Sequence, residues 1–184
     1  PENPTSFKGK WNMVFPKEQP IHLEIGTGKG QFIAGMAKQH PDVNFIGLEL
    51  AKSVIVTAID KVKEKEVPNV RLVNYNAQNL AELFAKHEVE RIYLNFSDPW
   101  PKNRHEKRRL TFKTFLQQYE DILIPNGDIV LKTDNQKLFE YSLVSFSRYG
   151  MKLEEVTLDL HALDDPFNVM TEDEEKFSKK GQPI

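Results

Sequence analysis

The chain has 184 residues, 39% of them hydrophobic and 28% charged, with a formal net charge of -2. That length suits one domain with its own core, spanning 1–184, and the composition is that of an ordinary globular protein rather than a disordered or low-complexity chain. The absence of cysteine excludes disulfide frameworks, thiolate catalysis and cysteine-ligated zinc, and it fits a reducing, cytoplasmic setting.

No apolar run approaches the ~18 residues of a membrane span, and no basic-then-apolar signal segment opens the chain. The first residue is Pro1 and not methionine, so a natural N-terminal piece is expected to be missing. His22, His40, His87, His105 and His161 share no metal-like spacing, and no metal is expected. Charge is distributed unevenly. Lys102, Arg104, Lys107, Arg108 and Arg109 fall within eight residues, while Asp164, Asp165, Glu172, Asp173, Glu174 and Glu175 crowd the C-terminal part. The net charge argues against a uniformly basic nucleic-acid binder, so a polyanion would be met at the basic segment alone.

Residues 1–20 hold four prolines and read as an irregular segment in which Trp11, Met13 and Phe15 pack on the domain. Ile21 to Ile25 alternates into the glycine turn Gly26-Thr27-Gly28-Lys29-Gly30, after which Phe32, Ile33, Met36 and Ala37 share a helical face. Val43 to Leu48 is a second strand closed by Glu49, and Ile55, Ala58, Ile59 and Val62 stripe a second helix. Val70 to Tyr75 is a third strand, and a short helix carries Leu80, Leu83 and Phe84. Arg91 to Ser97 is the fourth strand and delivers Asp98. Phe112, Phe115, Leu116 and Tyr119 space a helix. Pro125-Asn126-Gly127 is a turn, and Ile129 to Leu131 is a fifth strand ending at Lys132-Thr133-Asp134. Phe139, Leu143 and Phe146 mark another helix, Lys152 to Leu160 alternates like a strand, and the polar chain from His161 onward is expected to be irregular and outside the core. Alternating strands and helices with nearly all-apolar strands predict an α/β fold: a mostly parallel central sheet with helices on both faces.

In such sheets ligands bind at the carboxyl ends of the strands. The glycine turn lets a ligand approach the backbone, and Glu49, about 20 residues on, suits ribose hydroxyls. Gly30 comes one position early for a dinucleotide fingerprint, and Lys29 is not followed by Ser or Thr as in a phosphate-binding loop. Glu24 would turn a carboxylate toward this loop, repelling phosphates and suiting a cationic ligand such as S-adenosylmethionine. Asn76, past the third strand, either takes the adenine amine or is a turn asparagine. Asp98 is followed by Pro99-Trp100-Pro101, which hold the chain extended, and its alternative role is a helix cap. The basic run read alone is a solvated face; its place directly after Asp98 is where phosphates beside a target base would lie. Trp100 is either a stacking platform or core. Asp134 either accepts from the donors of a guanine edge or caps the next helix.

The motifs Glu24-Ile25-Gly26-Thr27-Gly28-Lys29-Gly30, Leu94 to Lys102, Arg104 to Leu110, and Lys132-Thr133-Asp134-Asn135 resemble those of the bacterial tRNA (guanine-N7)-methyltransferases, and the likeness runs from Trp11 to Ile184. The resemblance implies a class I methyltransferase Rossmann-like fold and methyl transfer from S-adenosylmethionine to N7 of guanine at tRNA position 46, in the variable loop. It further implies cofactor contacts by Glu24, Gly26, Gly28, Glu49, Asn76 and Asp98, and substrate contacts by Lys102 and Asp134. A Thr-x-x-Glu motif at Thr171, Glu172, Asp173 and Glu174 is a further substrate segment, and Arg104, His105, Glu106, Lys107, Arg108 and Arg109 form the RNA-interacting one. Asn76 stands where the family often has Asp, and Asp173 where it commonly has an aromatic. The family's basic N-terminal arm and last strand are expected to be missing from this chain.

Guanine N7 carries a lone pair and no proton, so attack needs no base; Asp98 is the expected catalytic residue, acting by position and charge. An exocyclic-amine methyltransferase is the nearest rival, since its Asp/Asn-Pro-Pro-aromatic motif resembles Asp98-Pro99-Trp100-Pro101 with the last two residues exchanged. A non-catalytic RNA-binding module and a nicotinamide-dependent dehydrogenase are the others. The expected partner is tRNA, with no membrane, and the chain is expected to be a monomer or homodimer.

Overall fold

A computed structural model describes residues 3–163, 165 and 168–184; Asp164 of the acidic C-terminal cluster lies outside the described residues. The strands β1 (Ile21–Ile25), β2 (Asn44–Leu48), β3 (Val70–Val73), β4 (Val89–Asn95) and β5 (Leu123–Lys132) form one sheet in the order β3-β2-β1-β4-β5. Every neighbouring pair is parallel. The order reverses direction between β1 and β4, and the crevice beyond their carboxyl ends is where such sheets bind ligands.

The helices are α1 (Gln31–Gln39), α2 (Lys52–Lys65), α3 (Leu80–Leu83), α4 (Lys113–Ile122), α5 (Gln136–Tyr149) and α6 (Glu172–Lys179). Because side chains alternate along a strand, β2 and β4 feed two cores, and the apolar residues of β1 feed one of them. Ile21, Leu23, Ile25, Ile92 and Leu94 pack with α3, α4 and α5 on one face. Phe45 and Tyr93 pack with Phe32, Ile33 and Ala37 of α1 on the other. Burial of the sheet on both sides is why β2 lacks the hydrophobic-polar alternation of half-exposed strands and why the alternating polar residues of β1, His22 and Glu24, are themselves buried.

The N-terminal segment contains two short 3-10 turns, Pro4–Phe7 and Trp11–Val14. Trp11 is fully buried and donates from Nε1 to the Leu83 carbonyl at 2.7 Å. Phe15 is buried as expected, but Met13 is 78% exposed. Pro125-Asn126-Gly127 is not a turn between elements. It lies inside β5, where Val89 pairs with Leu123 and Arg91 with Asp128, so the three residues bulge from the ladder, with Asn126 at φ 66°.

Lys152 to Leu160 is not a strand. Alternation makes a strand only where a neighbour completes the ladder, and here Leu153, Val156 and Leu158 are left exposed. The chain after His161, expected to be irregular, instead builds α6 and contributes a fully buried Glu174. Its period was hidden by four acids in the first turn, where they suit the positive end of the helix.

Candidate active site

Glu24 ends the inward-facing row of β1 and is 2% exposed. Its carboxylate accepts from Thr27 Oγ1 at 2.6 Å and from Asn95 Nδ2 at 2.8 Å. Burial pushes its pKa from 4.5 up to about 7; the two hydrogen bonds oppose the shift, and the nearby Glu172 charge adds to it. The Lys132 charge acts on Glu24 weakly and through space, and no described ion pair involves Glu24, so a dry carboxylate faces the pocket with no cation in contact, an arrangement that fits a positively charged ligand.

The turn beside it takes left-handed backbone at Gly26 and Gly28 (φ 77° and 57°), which glycine adopts without strain. Gly28 N donates to Glu49 Oε1 at 2.9 Å and Ala51 N to Oε2 at 3.1 Å, so Glu49 ties the turn to the end of β2. Gly30 is needed for packing, since a Cβ there would lie 3.0 Å from Ala58 Cα, where α1 meets α2. Asn76 is exposed, and its side-chain oxygen accepts from Gln78 N at 2.9 Å, which is the turn role; its amide nitrogen has no partner among the described residues.

Asp98 is exposed just beyond β4. Two aromatic residues beside it, Phe96 (φ 52°) and Trp100 (φ 43°), adopt left-handed backbone that bulky side chains rarely take. Trp100 is neither core nor a bare platform. It is half-buried, His105 meets its ring edge-on at 5.5 Å, and the Arg108 guanidinium covers it at 5.0 Å. Arg109 is also half-buried, while Lys102, Arg104, Lys107 and Arg108 are exposed on the 3-10 segment Asn103–Arg108 and at its start. Asp134 is half-buried at the end of β5. The cap of α5 is Asn135, accepting from Leu138 N at 2.8 Å, which leaves Asp134 free for a ligand.

The sheet's crevice is roofed by the chain's other end. Thr171 caps α6, accepting from Glu174 N at 2.9 Å, with the Thr-x-x-Glu spacing of a capping motif but only one of its two bonds among the described residues. Glu172 accepts from Gln31 N at 3.1 Å and pairs with Lys61 at 3.6 Å. Phe177 tilts against Phe96 at 6.2 Å. Glu174 points away from the crevice into a buried cluster with Lys132, His161 (2.7 Å) and Asn168 (2.8 Å). The partly open chamber of about 240 Å³ is lined by Glu24, the glycine turn, Asn95, Phe96 and Thr171 to Asp173, and it is smaller than the ~300–1,000 Å³ typical of ligand clefts. A larger groove of about 390 Å³ runs along the β3 edge beside Val14, Ile59 and Leu72. It contains none of the predicted site residues, and chemistry, not size, selects the chamber.

The structure thus brings Glu24, Gly26, Gly28, Thr171, Glu172 and Asp173 to one chamber, with Glu49 behind the turn. Sequence reasoning missed Asn95, Thr27 and Lys132. Only the polar residue that follows the apolar run Ile92-Tyr93-Leu94 and ends β4 was a signal for Asn95. Among the described residues no group of three or more His, Asp or Glu is gathered to hold a metal, and no helix is long and apolar enough to cross a membrane.

A parallel sheet with the order β3-β2-β1-β4-β5, an acid-flanked glycine turn and a chamber at the switch point define a Rossmann-like methyltransferase fold. A solved structure described as an antibiotic-related methyltransferase shares this fold, at a TM-score of 0.62 and 19% identity over 92% of this chain and 85% of that one. The family model described as "Putative methyltransferase" matches residues 18–184. The tRNA (guanine-N(7)-)-methyltransferase of Bacillus velezensis is 63% identical over 99% of this chain and 84% of its own length. The Bacillus licheniformis protein of the same name is 65% identical over 98% and 85%. The chain belongs to this methyltransferase family.

Proposed function

We propose that this protein transfers a methyl group from S-adenosylmethionine to N7 of a guanine in tRNA, at position 46 of the variable loop. The observation that carries the reading is the buried, cation-seeking Glu24 beside the glycine turn, in a chain whose relatives share the name tRNA (guanine-N(7)-)-methyltransferase. That name also favours N7 over an exocyclic amine as the target.

When bound, S-adenosylmethionine supplies an electrophilic methyl group on a sulfonium. Glu24 serves the ligand's ammonium, Glu49 its ribose hydroxyls and Asn76 its adenine. Guanine N7 has a lone pair and no proton, so the chain's task is to hold the base in line and not to remove a proton. Asp134 accepts from guanine N1–H and the 2-amino group. Asp98 stabilises the positive charge that arrives on the ring. Lys102, Arg104 and Lys107 lie where tRNA phosphates would sit, Glu172 and Asp173 close the ligand side, and the enzyme works in the cytoplasm as a monomer or homodimer.

The test uses labelled S-adenosylmethionine and unmodified tRNA, followed by chemical strand scission at N7-methylguanine. Scission at a single variable-loop guanine is expected. Asp98→Ala is expected to abolish transfer while keeping the thermal transition. Label on adenine, or near-normal turnover by Asp98→Ala, overturns the reading or the role respectively.

A further inference from the structure

Asp98 sits between two strained backbone positions, and each is held from outside the loop. On one side Phe96 N donates to the Lys132 carbonyl at 2.8 Å. On the other, the Trp100 carbonyl accepts from Arg109 Nε at 3.0 Å. The Arg109 guanidinium in turn lies 4.5 Å from the centre of the Tyr141 ring on α5, and Tyr141 Oη donates to Glu106 at 3.0 Å. Non-glycine residues in left-handed backbone persist only where the surroundings hold them. Arg109 is the group that joins Trp100 to a helix of the scaffold.

Resting on the proposed methyl transfer to tRNA, we propose that Arg109 is a positioning residue for the Asp98 loop, acting through the Trp100 carbonyl, and is not one of the phosphate contacts of the basic segment. Its Nε and its flat face are committed inside the protein, and it is half-buried. Lys102, Arg104 and Lys107 are exposed, and no described ion pair involves them. Arginine is required at position 109 because a planar guanidinium can stack on Tyr141 while donating from Nε. A lysine ammonium keeps the charge but has neither the plane nor that donor.

Arg109→Lys separates the two roles because it preserves the charge. The expected result is a kcat lower by about ten- to a hundredfold, the scale of a misplaced reacting group. The tRNA Kd and its salt slope are expected to stay those of the unaltered enzyme. Tyr141→Leu should lose a similar factor, and the double variant little more, since both act on one contact. Lys107→Gln supplies the reference for a phosphate contact, with a salt slope shallower by about one. Backbone hydrogen exchange over residues 97–102 should quicken in Arg109→Lys, with the thermal transition confirming the fold.

A normal kcat with unchanged exchange in Arg109→Lys overturns the proposal, as does an Arg109→Gln salt slope shallower by the same unit as Lys107→Gln. Failure of the unaltered enzyme to methylate tRNA would overturn the underlying reading instead. The exchange measurement would still test the link between Arg109 and the loop.

Discussion

Lys132 at the end of β5 and Glu174 in the first turn of α6 form an ion pair whose side chains are 10% and 0% exposed. Lys132 also donates to the Val169 carbonyl at 2.9 Å and lies 5.1 Å from the Phe32 ring centre. One cation therefore fastens the roof of the chamber to the sheet.

Removing one member of such a pair leaves a buried charge uncompensated, at a cost of about 3–5 kcal/mol. Lys132→Met should accelerate hydrogen exchange across α6 by about a hundredfold or more, the local counterpart of that cost. Lys132→Met with Glu174→Gln should recover most of the protection. If the single variant exchanges like the parent, the pair is not what holds the roof.

Glu24 makes ligand binding pH-dependent. Its pKa in the fold is about 7 against an ordinary 4.5, so the folded chain holds this proton more tightly than the unfolded one. Its contribution to stability is fully present below pH 4.5 and is lost as pH rises to about 7. A cationic ligand needs the ionised form, so affinity for S-adenosylmethionine should be roughly tenfold weaker at pH 6 than at pH 8, with a proton released on binding. Glu24→Gln should bind weakly with no such slope. Calorimetry in two buffers of different ionisation heat reads the proton directly, and identical heats would sink the idea.

Gly35 lies in the middle of α1, where alanine would ordinarily stabilise a helix by about 1 kcal/mol. Here a Cβ would lie 2.7 Å from Val169 Cγ1, and overpacking typically costs about 1–3 kcal/mol. Gly35→Ala is expected to lift the segment before α6, weakening S-adenosylmethionine binding while the melting temperature changes little. Adding Val169→Ala should restore binding. Weakening that Val169→Ala does not relieve would show that the clash is not the cause.

The sheet was readable because strands buried on both faces leave continuous apolar runs such as Ile92-Tyr93-Leu94, and Glu24, Glu49 and Asp98 stood out as site candidates because they lie at or just past the carboxyl ends of strands. What was unreadable depends on partners far along the chain. Lys152 to Leu160 has the period of a strand, but period says nothing about whether a neighbour is there. α6 read as irregular polar chain because its anchors, Lys132 and Gln31, lie 40 or more residues away. The left-handed backbone at Phe96 and Trp100 left no mark in residue type, since neither is glycine. The strip read as RNA-facing divides into exposed side chains and two half-buried ones, His105 and Arg109, and only their packing against Trp100 and Tyr141 shows the difference.

The contact between Gln31 and Glu172 spans 141 positions, and it implies an order of events during synthesis. The five described strands are complete once Lys132 has emerged, and a chain folding from its N-terminus has a floor for the chamber well before it has a roof. A nascent chain can therefore hold a folded five-stranded sheet before α6 has emerged to cover the crevice.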